Sequence, residues 1–200
     1  MLAFSRLASI LLFVLSLSFL TCAAPTAANS ALAVRGDDVG DLCLGAITNL
    51  RVKLDAHVEA CVSLTTVEAA KVFVDVLVVD VQATIDVIVK LSLNVLVSVE
   101  IKAKIAAELA LVIRAIVKIC ATLVANLGLD IAISLCVMID AIVKVLCLSI
   151  DACVSGVLEL CAKLLIDLDV HVLLKLHLDL CVKVLGLAHL LVGAVVGIVH

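Results

Sequence analysis

Aromatic residues are almost missing from this 200-residue chain, which has no tryptophan, no tyrosine and four phenylalanines. Phe4, Phe13 and Phe19 lie near the start, so Phe73 is the one phenylalanine ring in all that follows. Hydrophobic residues nevertheless make up 66% of the chain, whereas ordinary globular domains are about 45–50% apolar. The polar residues are too few to cover a compact monomer, so aliphatic side chains must face another protein, a lipid or a water boundary.

A basic surface is also missing, because 14 Lys and Arg residues stand against 18 Asp and Glu. No cluster of basic residues occurs and no aromatic platform could stack bases, which argues against nucleic acid as a partner. The acidic balance also disfavours electrostatic attraction to anionic lipid. No Asn-x-Ser/Thr sequon is present, so N-glycosylation is not expected to make the surface more soluble.

Catalytic motifs are missing as well: the chain contains no G-x-S-x-G, G-x-x-x-x-G-K or H-E-x-x-H sequence. One group of side chains would share a face, as in a metal cluster, if it lay on a strand: Asp167, Asp169, His171, His177 and Asp179. On a helix, three of them instead form a solvated stripe with Lys175, namely Asp167, His171 and Asp179. We favour the helix, and therefore expect no enzymatic activity, no metal site and no cofactor.

The first 23 residues are typical of a secretory signal peptide. Arg6 precedes an apolar run over residues 7–20, and the small residues Thr21 and Ala23 follow. This pattern predicts cleavage after Ala23, and the alternative is a signal anchor that stays attached. The expected location is extracellular or associated with a cell wall. The expected organisation is a signal peptide (1–23), a flexible leader (24–40) and a single helical domain (41–200).

Of the nine cysteines, Cys22 would leave with the signal peptide. An even set of eight in an exported chain predicts four disulfides of unknown pairing: Cys43, Cys61, Cys120, Cys136, Cys147, Cys153, Cys161 and Cys181. The alternatives are buried free thiols and a metal site, which the absence of Cys-x-x-Cys pairs disfavours. Cys43 and Cys61 would lie about 27 Å apart on an unbroken helix, too far to bond. We therefore expect disulfides from the first helix to the C-terminal half.

Two periodicities compete along the chain. Apolar residues alternate with polar ones from Val79 to Ile105, which is a strand signal. However, no Gly or Pro occurs between Gly45 and Gly128, where a sheet would need hairpin turns. A capping box at residues 65–68 and several acid–base pairs spaced by four residues favour helices. We predict an all-α fold, with a β-containing fold as the alternative.

The expected architecture is a disulfide-linked bundle of about six aliphatic-rich helices, at 41–61, 66–92, 98–126, 130–149, 151–166 and 168–190. The tail at 184–199 carries no Asp, Glu, Lys or Arg, and contains Gly193-x-x-x-Gly197, a motif of closely packed helices. It would be about 24 Å long as a helix, which is short for a bilayer. We favour a core or docking helix there, and a membrane span is the alternative.

Taken together, the leader, the eight cysteines and the long stretches of Val, Leu and Ala with isolated Asp and Lys resemble a group of small secreted hydrophobic proteins of mushroom-forming fungi. Hydrophobins have the same cysteine count and are surface-active, but this chain has no adjacent cysteine pair and is longer and more helical. The resemblance implies a role in cell-wall coating, attachment or aerial hyphae, and it carries over no functional residue.

These observations predict a secreted structural protein that self-associates or assembles at a hydrophobic interface, such as a cell wall, an air–water boundary or a lipid surface. The first alternative is a helical carrier that encloses a lipid or sterol in an aliphatic cavity. The second is a protein resident in a membrane.

Overall fold

A computed structural model of the chain describes residues 25–91, 93–166 and 170–186. All regular elements of these residues are α-helices, which confirms the all-α prediction. The signal peptide predicted at 1–23 and most of the tail lie outside the described residues. The helices are α1 (Pro25–Cys61), α2 (Val67–Val89), α3 (Val99–Leu127), α4 (Leu129–Cys153), α5 (Val157–Leu164), α6 (Val170–Lys175) and α7 (Asp179–Val184).

Helix α2 explains why its sequence alternates like a strand. Its buried residues recur every three or four positions, as in Val74, Leu77 and Val81, and form one helical face toward the core. The remaining valines of the alternation, among them Val79 and Val87, lie on the opposite face and are exposed. The period of two therefore arises because a normal core stripe is combined with additional valines on the outer surface.

The helix ends follow local capping chemistry. Thr66 caps α2, since its hydroxyl accepts a 3.4 Å hydrogen bond from the N–H of Ala69. Ser98 caps α3 in the same way through the N–H of Ile101, at 3.3 Å. Between α3 and α4, Gly128 has φ of +84°, which only glycine adopts at little cost. A single residue therefore reverses the chain.

Four long helices form the body of the fold. α1 packs along α3 and α2 along α4, while contacts of α1 with α2 and of α3 with α4 close the ring. We call α1 with α3 the first layer and α2 with α4 the second layer. The side chains that fill the space between the layers are aliphatic and fully buried, for example Ile47, Leu50, Leu77, Leu109 and Ile139. α5 packs on α3, and α7 packs on α4.

The start of α1 differs from the predicted flexible leader at 24–40. The helix begins at Pro25, and Gly36 and Gly40 are buried. A Cβ atom at Gly40 would lie 2.7 Å from Cγ2 of Ile101, and Asp37 Oδ1 accepts a 2.7 Å hydrogen bond from the N–H of Ser98. Residues 36–40 thus belong to the packed bundle, because two glycines allow α1 to approach the segment before α3.

The predicted helix at 168–190 is wrong as a single element. It is interrupted after α6 at His177, whose φ is +57°. The N–H of His177 donates to the carbonyl of Leu174 at 3.0 Å, and that of Leu178 donates to Leu173 at 2.9 Å. This pair of bonds is a Schellman helix end. The sequence concealed it because histidine takes the left-handed position usually held by glycine. The predicted break at 150 also lies later, at residues 154–156.

Candidate functional site

The surface of the bundle is unusually aliphatic. Among the described residues, twenty-one large hydrophobic side chains are more than 40% exposed. They occur on both layers and on the connection between α2 and α3, where Leu96 and Val99 are 79% and 82% exposed. Single exposed hydrophobic residues are ordinary on protein surfaces. Exposed residues that line up along one side of a helix instead indicate a contact surface.

On α4 the exposed residues gather on one side, which we call the α4 face: Ile131, Ser134, Val137, Met138, Ala141, Val145 and Leu148. They cover an arc of about 120° at 100° per residue. Serine is the only polar member, and none carries a charge. Lys144 on the same helix is half-buried, and Asp140 is buried. The one exposed charged residue of α4 is Asp130, which lies on the same side of the helix directly before Ile131. The α4 face is thus an apolar strip with a single carboxylate at its N-terminal end.

Helix α4 is also the one described helix that is long and apolar enough to cross a membrane, with a mean hydropathy of 2.5 over 18 residues. In the bundle, 44% of those residues are buried. A core helix meets the same criterion of length and composition, so this property alone does not separate a membrane span from a core element.

A second apolar strip lies on α2, which we call the α2 stripe: Val72, Val76, Val79, Ala83 and Val87. The spacings of three and four residues place all five on one side of the helix. This stripe has exposed carboxylates beside it, at Asp75 and Asp86. Because α2 and α4 pack together, both strips belong to the second layer.

Between α1 and α2, Asp80 accepts hydrogen bonds from Lys53 Nζ at 2.7 Å and from His57 Nε2 at 2.9 Å. The Lys53 hydrogen bond, aided by His57, lowers the pKa of Asp80. The ring of Phe73 meets the imidazole edge-on at 5.3 Å. The nearby hydroxyl of Thr84 donates to the Asp80 backbone carbonyl at 3.2 Å. The cluster therefore connects two helices.

The predicted acidic and histidine group is not assembled as one stripe. Asp167 and Asp169 lie outside the described residues. His171 is in α6, and Asp179 opens α7 beyond the interruption at His177. No three His, Cys, Asp or Glu residues of the described ranges are placed to hold a metal ion.

His177 instead lines an open groove at the end of the bundle. The groove measures about 560 Å³ and is otherwise lined mainly by aliphatic residues, including Val124, Leu129 and Val172. No sequence pattern indicated this groove, because it forms only where α3, α4 and α6 meet. It offers an apolar ligand one imidazole and, at Lys175, one ammonium group.

All eight cysteines predicted to bond are buried thiols in the structure, and the four disulfides stay a prediction. The side chains of Cys43 and Cys153 lie next to each other, and so do those of Cys120 and Cys136. The interaction with the neighbouring sulfur lowers the pKa of Cys153 and of Cys136. The interaction with the partner thiol and burial raise the pKa of Cys43 and of Cys120.

The other four cysteines lie apart from these pairs. The thiol of Cys61 donates to the Val58 carbonyl at 3.2 Å, although burial raises its pKa. Burial raises the pKa of Cys161 to about 12, and also raises the pKa of Cys147 and Cys181.

Asp140 precedes Lys144 by four residues, the spacing of an exposed acid–base pair on a helix, but it lies inside the core. Its side chain is 2% exposed, and it accepts hydrogen bonds from the backbone N–H groups of Leu180 and Cys181 at 2.7 and 2.9 Å. One signal was available: Asp140 lies four residues after Cys136 and three before Val143, within the apolar stripe that forms the core.

No protein-family model matches this chain, and no curated protein matches it either. The function is therefore inferred from the surfaces, grooves and buried groups just described.

Proposed function

We propose that this protein is a secreted structural protein that assembles at a hydrophobic interface, such as a cell wall, an air–water boundary or a lipid surface. The observation that carries this proposal is the α4 face, an exposed strip of apolar side chains with one exposed carboxylate, Asp130, at its N-terminal end. The resemblance to secreted hydrophobic proteins of mushroom-forming fungi agrees with it, and so does the predicted signal peptide.

The energetics support association through this strip. Five large side chains of the α4 face, at Ile131, Val137, Met138, Val145 and Leu148, are each 43–48% exposed. Fully burying such a side chain contributes about 1.5–3 kcal/mol. Removing the exposed halves of all five from water would then contribute on the order of 5 kcal/mol per molecule. That free energy favours adsorption or self-association once an apolar surface is available.

The polar residues suit an orientation in which the second layer meets the interface. The first layer holds a cross-helix ion pair between Arg51 and Glu108, at 2.9 Å. On the second layer, Asp75 and Asp86 border the α2 stripe and would stay in water. An adsorbed molecule would thus bury the α4 face while keeping charged groups hydrated.

The proposal is tested by polar substitutions on the α4 face, for example Val137→Gln with Met138→Gln and Val145→Gln. A matched control places three glutamines on or directly beside the first layer, at Val52 of α1, Leu111 of α3 and Val62 just after α1, which are 57%, 45% and 67% exposed. The unchanged protein and the control should lower the surface tension of water, and the α4 variant should lower it less. A monomer that leaves surface tension unchanged would contradict the proposal.

A lipid or sterol carrier is the second candidate, and the groove beside His177 favours it. Its volume of about 560 Å³ lies within the range of small-molecule pockets, about 300–1,000 Å³. Native mass spectrometry discriminates the two functions: a stoichiometric lipid on the monomer supports the carrier, whereas oligomers without lipid support the surface protein. Retention in the membrane pellet after a carbonate wash would instead support a membrane-resident protein.

A further inference from the structure

Two pairs of cysteines meet across the boundary between the layers. Cys43 on α1 contacts Cys153 at the end of α4, and Cys120 on α3 contacts Cys136 on α4. All four are buried, with exposures of 0–1%. Each pair joins a helix of the first layer to a helix of the second.

The hairpin geometry accounts for the second pair. Cys120 lies eight residues before Gly128, and Cys136 lies eight residues after it. Gly128 alone separates α3 from α4, so residues at equal distance from it lie opposite each other in the antiparallel hairpin. Both positions are on the faces of their helices that point toward the core.

Backbone contacts account for the first pair independently. The N–H of Val95 donates to the carbonyl of Cys153 at 2.9 Å, which attaches the segment before α3 to the end of α4. One turn before Cys43, Gly40 packs on Val97 and Ile101 of that same region. The segment at 95–101 thus brings the two cysteines together, although they are far apart in the sequence.

We propose that oxidation joins Cys43 to Cys153 and Cys120 to Cys136, and that these bridges lock the two layers of the bundle together. In each bridge a sulfur–sulfur bond replaces two S–H bonds. The two electrons and two protons pass to a small-molecule disulfide such as oxidised glutathione, which is cleaved to two thiols. This pairing of cysteines is independent of the proposed surface activity.

Each bridge forms in two exchange steps. The thiolate is the attacking species in disulfide exchange, so one sulfur of a pair first forms a mixed disulfide with the small molecule, and its partner then displaces the small thiol. Cys61, whose thiol donates to the Val58 carbonyl, belongs to neither pair.

The test is to refold the full reduced chain in a glutathione redox buffer, block the remaining thiols with N-ethylmaleimide and map the bridges without reduction. Trypsin releases residues 119–144 as one peptide that holds both Cys120 and Cys136, and an internal bridge makes it about 2 Da lighter. It also releases 36–51, which contains Cys43, and 145–163. Cleavage at Asp151 and Glu159 then isolates Cys153 from its two neighbours in that peptide.

Three variants test which cysteine belongs to which bridge. Cys43→Ala and Cys153→Ala should each abolish the same bridge, leave the partner open to N-ethylmaleimide and preserve the bridge in 119–144. The control Cys61→Ala should preserve both bridges. Bridges from any of the four cysteines to another position, or four blocked thiols in the refolded compact chain, would overturn the inference.

Discussion

The N–H of Cys181 on α7 donates a 2.9 Å hydrogen bond to Oδ1 of Asp140 on α4. A second bond, of 2.7 Å, runs from the N–H of Leu180 to the other carboxylate oxygen. One buried carboxylate thus satisfies two amide groups in the first turn of a helix about forty residues later in the chain. The last described helix is therefore held by a charge inside an otherwise aliphatic core.

Replacing this carboxylate should destabilise the bundle. The asparagine side chain in Asp140→Asn has only one oxygen that can accept a hydrogen bond, and that oxygen carries no charge. We therefore expect a loss of about 1–3 kcal/mol in the free energy of unfolding. Urea denaturation measures it. The control Asp130→Asn, at an exposed position in the first turn of α4, should change stability by less than about 1 kcal/mol. Equal effects of the two variants would show that the buried bonds contribute little.

The glycines of α1 offer a test of where the packed bundle begins. In Gly36→Ala the new Cβ would meet the backbone carbonyl of Leu96, which cannot move aside easily, so we expect a loss of about 1–3 kcal/mol. Gly45→Ala is the matched control, because nothing lies within 4 Å of its Cβ position. It should stabilise the helix by about 0.5–1 kcal/mol. If residues 36–40 were a free leader, Gly36→Ala would leave the thermal midpoint unchanged.

His177, between α6 and α7, has a left-handed backbone conformation, which predicts that glycine at this position makes the protein more stable. A non-glycine residue in this conformation costs about 1–2 kcal/mol, so His177→Gly should raise the thermal midpoint. His177→Val should lower it, because a β-branched side chain is strained at a φ of +57°. Both variants remove the imidazole equally, so a similar shift in both would mean that contacts of the side chain, rather than the backbone, decide stability here.

The cluster around Asp80 predicts a dependence on acidic pH. Hydrogen bonds from Lys53 and His57 lower its pKa in the folded protein, so the unfolded chain binds a proton more readily. The stabilisation is fully present above the unfolded pKa of about 3.9 and is lost as the pH falls through the lower folded value. Urea unfolding at several pH values should show a steeper loss for the unchanged chain than for Asp80→Asn. Parallel curves would contradict this assignment.

Several features were determined by the sequence alone, because they depend on neighbours within a few residues. The lack of Gly and Pro between Gly45 and Gly128 favoured helices over strands, despite an alternating pattern. The capping box at residues 65–68 placed the start of α2 to within one residue of its cap at Thr66, since a cap needs only the amide groups of the next turn. The excess of aliphatic residues required an apolar surface, because polar residues could not cover the molecule.

Tertiary structure decided the features that join distant parts of the chain. The burial of Asp140 depends on where α7 lies, and the packing of Gly36 depends on the segment before α3. The cysteine pairs likewise follow from how the two layers meet, since neither Cys43 nor Cys153 carries a local mark of its partner. The physical reason is that helix propensity and capping act within one or two turns, whereas the relative placement of helices is set by the packing of their side chains against one another.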